Sequence, residues 1–447
     1  MRARGRNKSR VEVKFLTKPN LSPFCGQRTQ ETSVRIKKYY RGAIGLAVLS
    51  PVVHAAGGQE QGFINDSSLG VLARNYYFNS NNVGPGVAQN QRNEWAQGFI
   101  ANFQSGFTPG TVGFGIDTSA MLGLKLDSTS SDINTGLLPA TGRGVPGVDR
   151  AQSEYTKGGV AVKFKVGETV VKYGDQTVMN PVFYTTDSRL LPETTRGMTF
   201  VSKDLDKLRI EGGRLDSLRT VSQTDHDSAR LEHATYLGGT YDISSALSAS
   251  LYTSKIDNYW AKNYLGLVYV VPIDSIQAVT FKFDGYHQKS IGDELGGELS
   301  NNAYSFNASY AYSAHTFGVG AQHVSGKGKY SWGVDGGDSN YLLNYTQFLD
   351  GTAENETSWQ LRYDYDFAAW GVPGLRVMAK YVKGTGADSS TFSNGKEWER
   401  DLQASYVVQS GQAKGLSFRI SQATYRSDFQ PGVNEVRVVT EFPISIF

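Results

Sequence analysis

Basic side chains recur at alternate positions in runs whose intervening residues are apolar. Lys163 and Lys165 interleave with Val162, Phe164 and Val166, and Lys282 stands between Phe281 and Phe283. Arg376 and Lys380 interleave with Leu375, Val377, Ala379 and Tyr381, Arg419 lies between Phe418 and Ile420, and Arg437 lies between Val436 and Val438. Arg362 occupies the same phase in Ser358–Phe367, which alternates without a break. A period of two places the cations on one face of a strand and the apolar residues on the other. Cations on a water-facing surface can replace part of an anion's hydration, and Arg can hold a carboxylate through two parallel hydrogen bonds. The chemistry implied is selective passage of small anions. Each cation has a plainer role in solvating a polar face, and Asp364 and Asp366 share a face with Arg362 and can neutralise it.

Covalent and metal chemistry are poorly supported. His226-Asp227-Ser228 holds the three residue types of a hydrolytic triad, but triad members usually come from distant segments. A catalytic barrel therefore stays a minor alternative. His226, His233, His287, His315 and His323 show no i, i+3 or i, i+4 ligand pairing. Asp335-Gly-Gly-Asp-Ser-Asn340 is similar to a Ca²⁺ loop but lacks its distal Glu. No phosphate-cradling P-loop is present. The expectation is a non-enzyme without metal or cofactor.

The elements that carry these residues are strands. In Ser358–Phe367 the odd positions Trp359, Leu361, Tyr363, Tyr365 and Phe367 are apolar or aromatic, and the even positions are polar or charged. Tyr304–Tyr312 repeats the pattern, and Gly, Asn, Asp and Ser clusters separate such runs. A wall with lipid on one side and water on the other needs this alternation. The chain has 25 Tyr, 22 Phe and 6 Trp, with aromatics near strand ends as in interfacial girdles. After the N-terminal region no run approaches the ~20 apolar residues of a spanning helix. The prediction is an all-β, transmembrane antiparallel β-barrel; at roughly 20–22 residues per strand and connection it has about 18 strands. Lys125–Glu154, Asn180–Thr199 and Gly326–Asn340 read as long connections. Pro443 is expected to kink the last strand and bring Phe447 into phase with its apolar face. An adhesive or structural barrel is a further alternative.

Arg35–Arg41 is basic, 42–53 is apolar, and Val53-His-Ala55 offers small residues around a cleavage site. Residues 34–55 therefore read as an export signal peptide cut near Ala55. Residues 1–33, which contain the sole cysteine, Cys25, read as a non-native or mis-assigned extension, with translation starting at Val34. Residues 56–447 then form one barrel domain without cysteine chemistry. The whole chain has 45 Lys and Arg against 42 Asp and Glu; the first 55 residues hold 12 and 2 of these, leaving 33 against 40, a net of −7. The overall basic balance belongs to the leader, so nucleic acid is not an expected partner.

Several strings resemble the OprD-like family of outer-membrane porins, the substrate-selective channels of pseudomonads. They are Gly62-Phe-Ile64, Arg74–Asn79, Glu94–Phe99, Thr108–Gly113, Asp187-Ser-Arg-Leu-Leu-Pro192 with Arg196-Gly197, Trp359–Asp366, Gly371–Gly374, Tyr406–Gly411 and Phe442–Ser445. They run in the family's order along nearly all of the chain after residue 60. The resemblance implies an 18-stranded barrel in the bacterial outer membrane, with loops folded inward into an eyelet. It also implies passive uptake of small carboxylate-bearing nutrients along a ladder of basic side chains. Arg419 and Arg437 match basic eyelet positions, the inward loop matches Tyr184–Pro192 with Asp187, Ser188 and Arg189, and Asp338 matches an acidic eyelet position. Amino-acid channels of the family are typically also basic where this chain has Ser405 and Ser421. That departure favours a monocarboxylate, cyclic or aromatic, over an amino acid or peptide. Opposed acids and bases would set a transverse field across the eyelet. The expected partners are small carboxylate solutes, outer-membrane lipid and lipopolysaccharide, with the barrel a monomer or weak homotrimer.

Overall fold

A computed structural model describes residues 62–447 apart from 85–88, 130–131, 142–149, 228 and 230. The signal peptide, Cys25 and Ser228 lie outside the described residues. Eighteen strands form one antiparallel sheet. In chain order they are β1 (Ser68–Val83), β2 (Gln91–Gln104), β3 (Gly113–Asp127), β4 (Glu154–Val166), β5 (Thr169–Gln176) and β6 (Thr194–Ser202). They continue with β7 (Leu208–Arg219), β8 (Ala234–Asp242), β9 (Leu247–Ile256), β10 (Trp260–Pro272), β11 (Gln277–Ser290) and β12 (Ser300–Tyr312). The last six are β13 (His315–Lys327), β14 (Thr357–Asp366), β15 (Leu375–Ala387), β16 (Gly395–Val407), β17 (Ser417–Ser427) and β18 (Gly432–Ser445).

Each strand pairs with its neighbour in sequence. The sheet closes because β1 pairs with β18, from Gly70 opposite Ser445 to Val83 opposite Gly432. No helix among the described residues is long and apolar enough to cross a membrane. Here the strands cross it. Apolar residues of one parity are exposed on the outside, among them Phe164, Leu251, Phe306, Val319, Leu361, Phe418 and Ile420. Their neighbours Ala161, Ser250, Ser305, Gln360 and Ala423 are buried within the barrel. This is the expected two-faced wall.

Connections on the side of the barrel's two ends are short, such as 167–168 and 313–314. The opposite side carries 128–153, 177–193, 220–233 and 328–356. By the usual asymmetry of such barrels the first side is periplasmic and the second is the outer mouth. The loop boundaries differ from the sequence expectation. β3 runs to Asp127, Thr194–Thr199 belongs to β6, and the third long loop extends to 356 instead of stopping at Asn340. Polar residues on a lumen-facing strand resemble loop, and apolar residues on an inward-folded loop resemble wall, so alternation misplaces both. The kink expected at Pro443 is absent. The β1–β18 register is unbroken through Pro443 opposite Leu72, and Phe447 lies beyond the strand end, exposed, with its carbonyl accepting from Leu69 N–H.

Described parts of the three long loops 128–153, 177–193 and 328–356 pack inside the barrel. Leu137, Leu138, Leu190 and Leu191 are buried against Tyr76, Phe78 and Ile100. Phe183, Tyr330 and Leu342 are buried against Tyr236, Tyr252, Trp260, Tyr264 and Tyr286. Gly98 on β2 allows the first approach, since a Cβ there would meet the Leu190 carbonyl at 3.1 Å. Gly336 has φ +92° and packs against the Tyr184 backbone, where any side chain would collide.

A buried ion pair pins the 328–356 loop to the wall. Lys262 Nζ lies 2.6 Å from Asp335 Oδ2, both side chains being fully buried. Asp335 also accepts from Trp260 Nε1 at 3.0 Å, Ser339 Oγ at 2.7 Å and Gly333 N at 3.0 Å. Lys262 sits 4.8 Å from the Tyr330 ring centroid. Removing one partner strands the other charge, which typically costs about 3–5 kcal/mol. Asp335→Leu is therefore expected to lower the thermal midpoint of the barrel in detergent and expose Lys329 to trypsin. The double variant Asp335→Leu/Lys262→Met should recover most of the loss. A double variant as unstable as the single would refute this account.

Candidate functional site

Arg74 of β1 holds the inward-packed 177–193 loop. Parity turns Leu72, Arg74, Tyr76 and Phe78 inward, and Arg74 is 2% exposed. Its Nη1 and Nη2 donate to the two oxygens of Asp187 at 2.7 and 2.9 Å, and its Nε donates to Glu441 at 2.7 Å. Nη1 also donates to the carbonyls of Arg189 and Leu190 at 2.8 and 3.2 Å. One guanidinium thus holds the 177–193 loop across the lumen. Burial raises the Asp187 pKa, and the facing Arg74 charge works against that rise. The fork geometry and the two charges make this a paired carboxylate, unavailable to solute.

The loop continues into Ser188 and Arg189. Ser188 O accepts from Tyr76 Oη at 3.2 Å and from Arg189 at 3.1 Å. Arg189 Nε donates to Thr135 O of the 128–153 loop at 3.0 Å. The guanidinium stands 5.2 Å from the centroid of Phe78, and that of Arg437 stands 4.7 Å from the same ring. Two cations therefore meet at one aromatic ring, a favourable arrangement for each but repulsive between them.

Strand register places the remaining nominated residues in rows. Arg376 faces Ser405, Ser405 faces Arg419, and Arg419 faces Val439. In the next row Gln403 faces Ser421 and Ser421 faces Arg437, with Phe78 opposite Arg437 on β1. In the row nearer the outer mouth Arg362 faces Lys380 and Lys380 faces Asp401. Most of these cations already have carboxylate partners. Arg362 is bidentate to Asp364 at 2.7 and 2.8 Å, Arg376 meets Asp366 at 3.1 Å, and Lys380 meets Asp401 at 2.9 Å. Arg437 Nε donates to Glu435 at 2.6 Å. Lys282 meets Asp284 at 3.0 Å. Ser421 is buried and donates to Gln403 at 3.2 Å.

Two nominated cations lie elsewhere. Lys163 is buried at the periplasmic end, 2.7 Å from Asp117 and 2.8 Å from Ser105 O, where it braces the 105–112 turn. Lys165 lies near the following turn, 3.7 Å from Glu168. Arg419 differs from all of these. Half-buried on the inner face of β17, it has no hydrogen bond or ion pair among the described residues, and its charge acts on Asp187.

Asp338, on the 328–356 loop, is buried and accepts from Tyr345 Oη at 3.1 Å. Burial raises its pKa, which Thr186 and Tyr345 oppose by hydrogen bonding. Beside it Glu193 ties the two loops together, its Oε2 accepting from Thr186 N and Gly337 N at 2.9 Å each. Sequence reasoning missed Arg74, although strand parity alone would have turned it inward. It also missed Glu193, for which no local pattern exists. Towards the outer mouth a cavity of about 470 Å³ is lined by Asp350, Glu354, Glu356 and Glu397 together with Phe348, Phe392 and Phe429. Burial, then the nearby Glu397, pushes Asp350 up to about 7.

Among the described residues the alternative chemistries find no constellation. His226 sits among Arg196, Arg219 and Asp175, and Asp227 accepts from Leu231 N. Asp335 of the Ca²⁺-like string is occupied by Lys262. No group of three or more metal-ligating side chains occurs among the described residues.

A pH dependence follows from the loop carboxylates. Burial pushes Glu193 up to about 7, against the two N–H donors that favour its charged form. Between pH 6 and 8 both Glu193 and Asp350 pass from neutral to anionic, adding negative charge beside the path. Anion preference, read as reversal potential in a KCl gradient, should therefore fall as pH rises through this window. Glu193→Gln/Asp350→Asn should flatten that slope, and an unchanged slope would exclude these two groups as its source.

A family model described as outer membrane porin, OprD family, matches residues 61–446. Porin D of Pseudomonas aeruginosa is 37% identical over 419 residues, covering 87% of this chain and 93% of that protein. Among solved structures, Pseudomonas aeruginosa OccK9 (OpdG) superimposes with a TM-score of 0.82 at 33% identity, covering 86% of this chain and all of that one. Pseudomonas aeruginosa OpdK with vanillate superimposes at 0.79 and 32% identity, again over 86% of this chain and all of that one. The eighteen-stranded closed barrel and a match over nearly all described residues agree: the chain belongs to the OprD family of Gram-negative outer-membrane porins, which are channels and not enzymes.

Proposed function

We propose that this porin admits small monocarboxylates, cyclic or aromatic ones foremost, by passive diffusion through the constriction between the 177–193 loop and the wall of β15–β18. The observation that carries this reading is Arg419. It faces the lumen without a carboxylate partner among the described residues, whereas its basic neighbours in the wall are paired. A solute carboxylate can take two parallel hydrogen bonds from such a guanidinium. Arg189 and Arg437, both over the buried Phe78 ring, extend the basic wall towards the outer mouth, with the Arg437 charge partly answered by Glu435. Ser405 and Ser421, flanking Arg419 and Arg437 in register, keep the path less basic than a continuous ladder. A relative with a structure containing vanillate, an aromatic monocarboxylate, fits this reading. The paired cations Arg362, Arg376, Lys380, Lys282, Lys163 and Lys165 set the background field and hold the wall.

A second reading rests on the outer cavity. Its acidic and aromatic lining suits a cationic group, so an amino acid or peptide could rest there with its carboxylate towards Arg419.

Planar-bilayer recording decides between these. Benzoate or vanillate is expected to interrupt the KCl current at lower concentration than arginine or a dipeptide. Arg419→Gln should weaken that block and reduce anion preference severalfold, while Arg362→Gln should do far less. Stronger block by arginine would favour the second reading. Absence of any change in Arg419→Gln would remove Arg419 from the path.

A further inference from the structure

The outside of the barrel carries a basic patch that transport does not use. On β15, β16 and β17 the outward positions nearest the outer mouth are Lys383, Lys396, Arg400 and Arg426. Register brings them together: Lys383 and Arg426 both face Trp398, Lys396 faces Thr385, and Arg400 faces Tyr381. Their immediate neighbours Val382, Glu397, Glu399, Asp401 and Tyr425 are buried inside, which fixes the parity.

Lys383, Lys396 and Arg400 are exposed and form no ion pair among the described residues. Arg400 makes only two long contacts, to Gln422 at 3.4 Å and Thr424 at 3.3 Å. Arg426 is committed to the carbonyls of Tyr425 and Val433 and to Asn434. No outward position of these three strands holds a carboxylate. The Asp428 carboxylate accepts from the Lys396 backbone N–H at 2.8 Å, which leaves three cations to one nearby acid; they repel one another and, beside lipid, call for an external anion.

Depth identifies that anion. Trp398 and Tyr381 lie 5.9 Å apart between centroids, with Trp359 5.5 Å beyond, forming an aromatic girdle at the level of the patch. Leu361, Leu402, Phe418 and Ile420 are exposed further towards the periplasm. The periplasmic ends of the same strands present Leu375, Tyr406 and Phe418 outward and no cation. The positive charge is therefore confined to the outer headgroup level. We propose that this face binds the phosphorylated headgroup of lipopolysaccharide, with Lys383, Lys396 and Arg400 contacting phosphate and Trp398 and Tyr381 packing on the sugar and acyl boundary.

Native mass spectrometry of the barrel in detergent, titrated with bis-phosphorylated lipid A or with phosphatidylglycerol, tests this. Lys383→Gln/Lys396→Gln/Arg400→Gln is expected to lose about tenfold or more in lipid A affinity. The periplasmic-turn control Lys203→Gln/Lys207→Gln/Lys414→Gln, with the same charge change, should bind as the parent does. Single-channel conductance should be retained in both, showing intact barrels. Equal lipid A binding by the two triple variants, or parental binding of phosphatidylglycerol as tight as that of lipid A, would overturn the proposal.

Discussion

Inside a bilayer an unpaired peptide group costs several kcal/mol, because no water is present to replace its lost partner. A sheet can meet that constraint only by closing on itself. The β1–β18 ladder does so here, with β1 pairing over almost its whole length and Pro443 accommodated without a register break. Closure has two consequences for everything inside. It fixes which residues stand level with one another, so Arg376, Ser405, Arg419 and Val439 follow one another across four strands. It also frees the inner face from any need to be apolar.

That inner face is crowded with charges that mostly answer each other. A lumenal carboxylate within 3 Å of Arg362, Lys380 or Arg437 is a permanent occupant. At an effective dielectric of about 20, two unit charges 4 Å apart attract by about 4 kcal/mol, and a passing solute cannot readily displace a tethered partner. A count of lumenal cations therefore overstates the positive field available to a carboxylate. Arg419 stands out by lacking such a partner among the described residues, while its charge acts on Asp187 of the Arg74 pair.

The inward-packed loops are held by buried polar clamps. Arg74 holds 177–193 to the wall, Lys262 and Asp335 hold 328–356, and Glu193 joins the two loops through backbone donors. Each replaces water with fixed partners in a low-dielectric setting, which makes it costly to break. Loops clamped this way are held in place inside the barrel by the fold itself and need no solute to order them.

Alternation along Ser358–Phe367, Tyr304–Tyr312 and their counterparts was enough to read an all-β wall, its inward parity and about eighteen strands, since each depends on neighbours two residues apart. The inward placement of Arg419 and Arg437 came from the same rule, and the family followed from ordered strings along the chain. Loop limits were less legible, because Thr194–Thr199 is polar wall and 341–356 is loop that packs inside. The pairing of charges was not legible at all. Asp187 meets Arg74 across 113 residues and Lys262 meets Asp335 across 73, and no local pattern encodes contacts between a strand and a loop folded back into the barrel. Local periodicity decided which side of the wall a cation faces; only the closed barrel with its inserted loops decided which cations remain free to meet a solute.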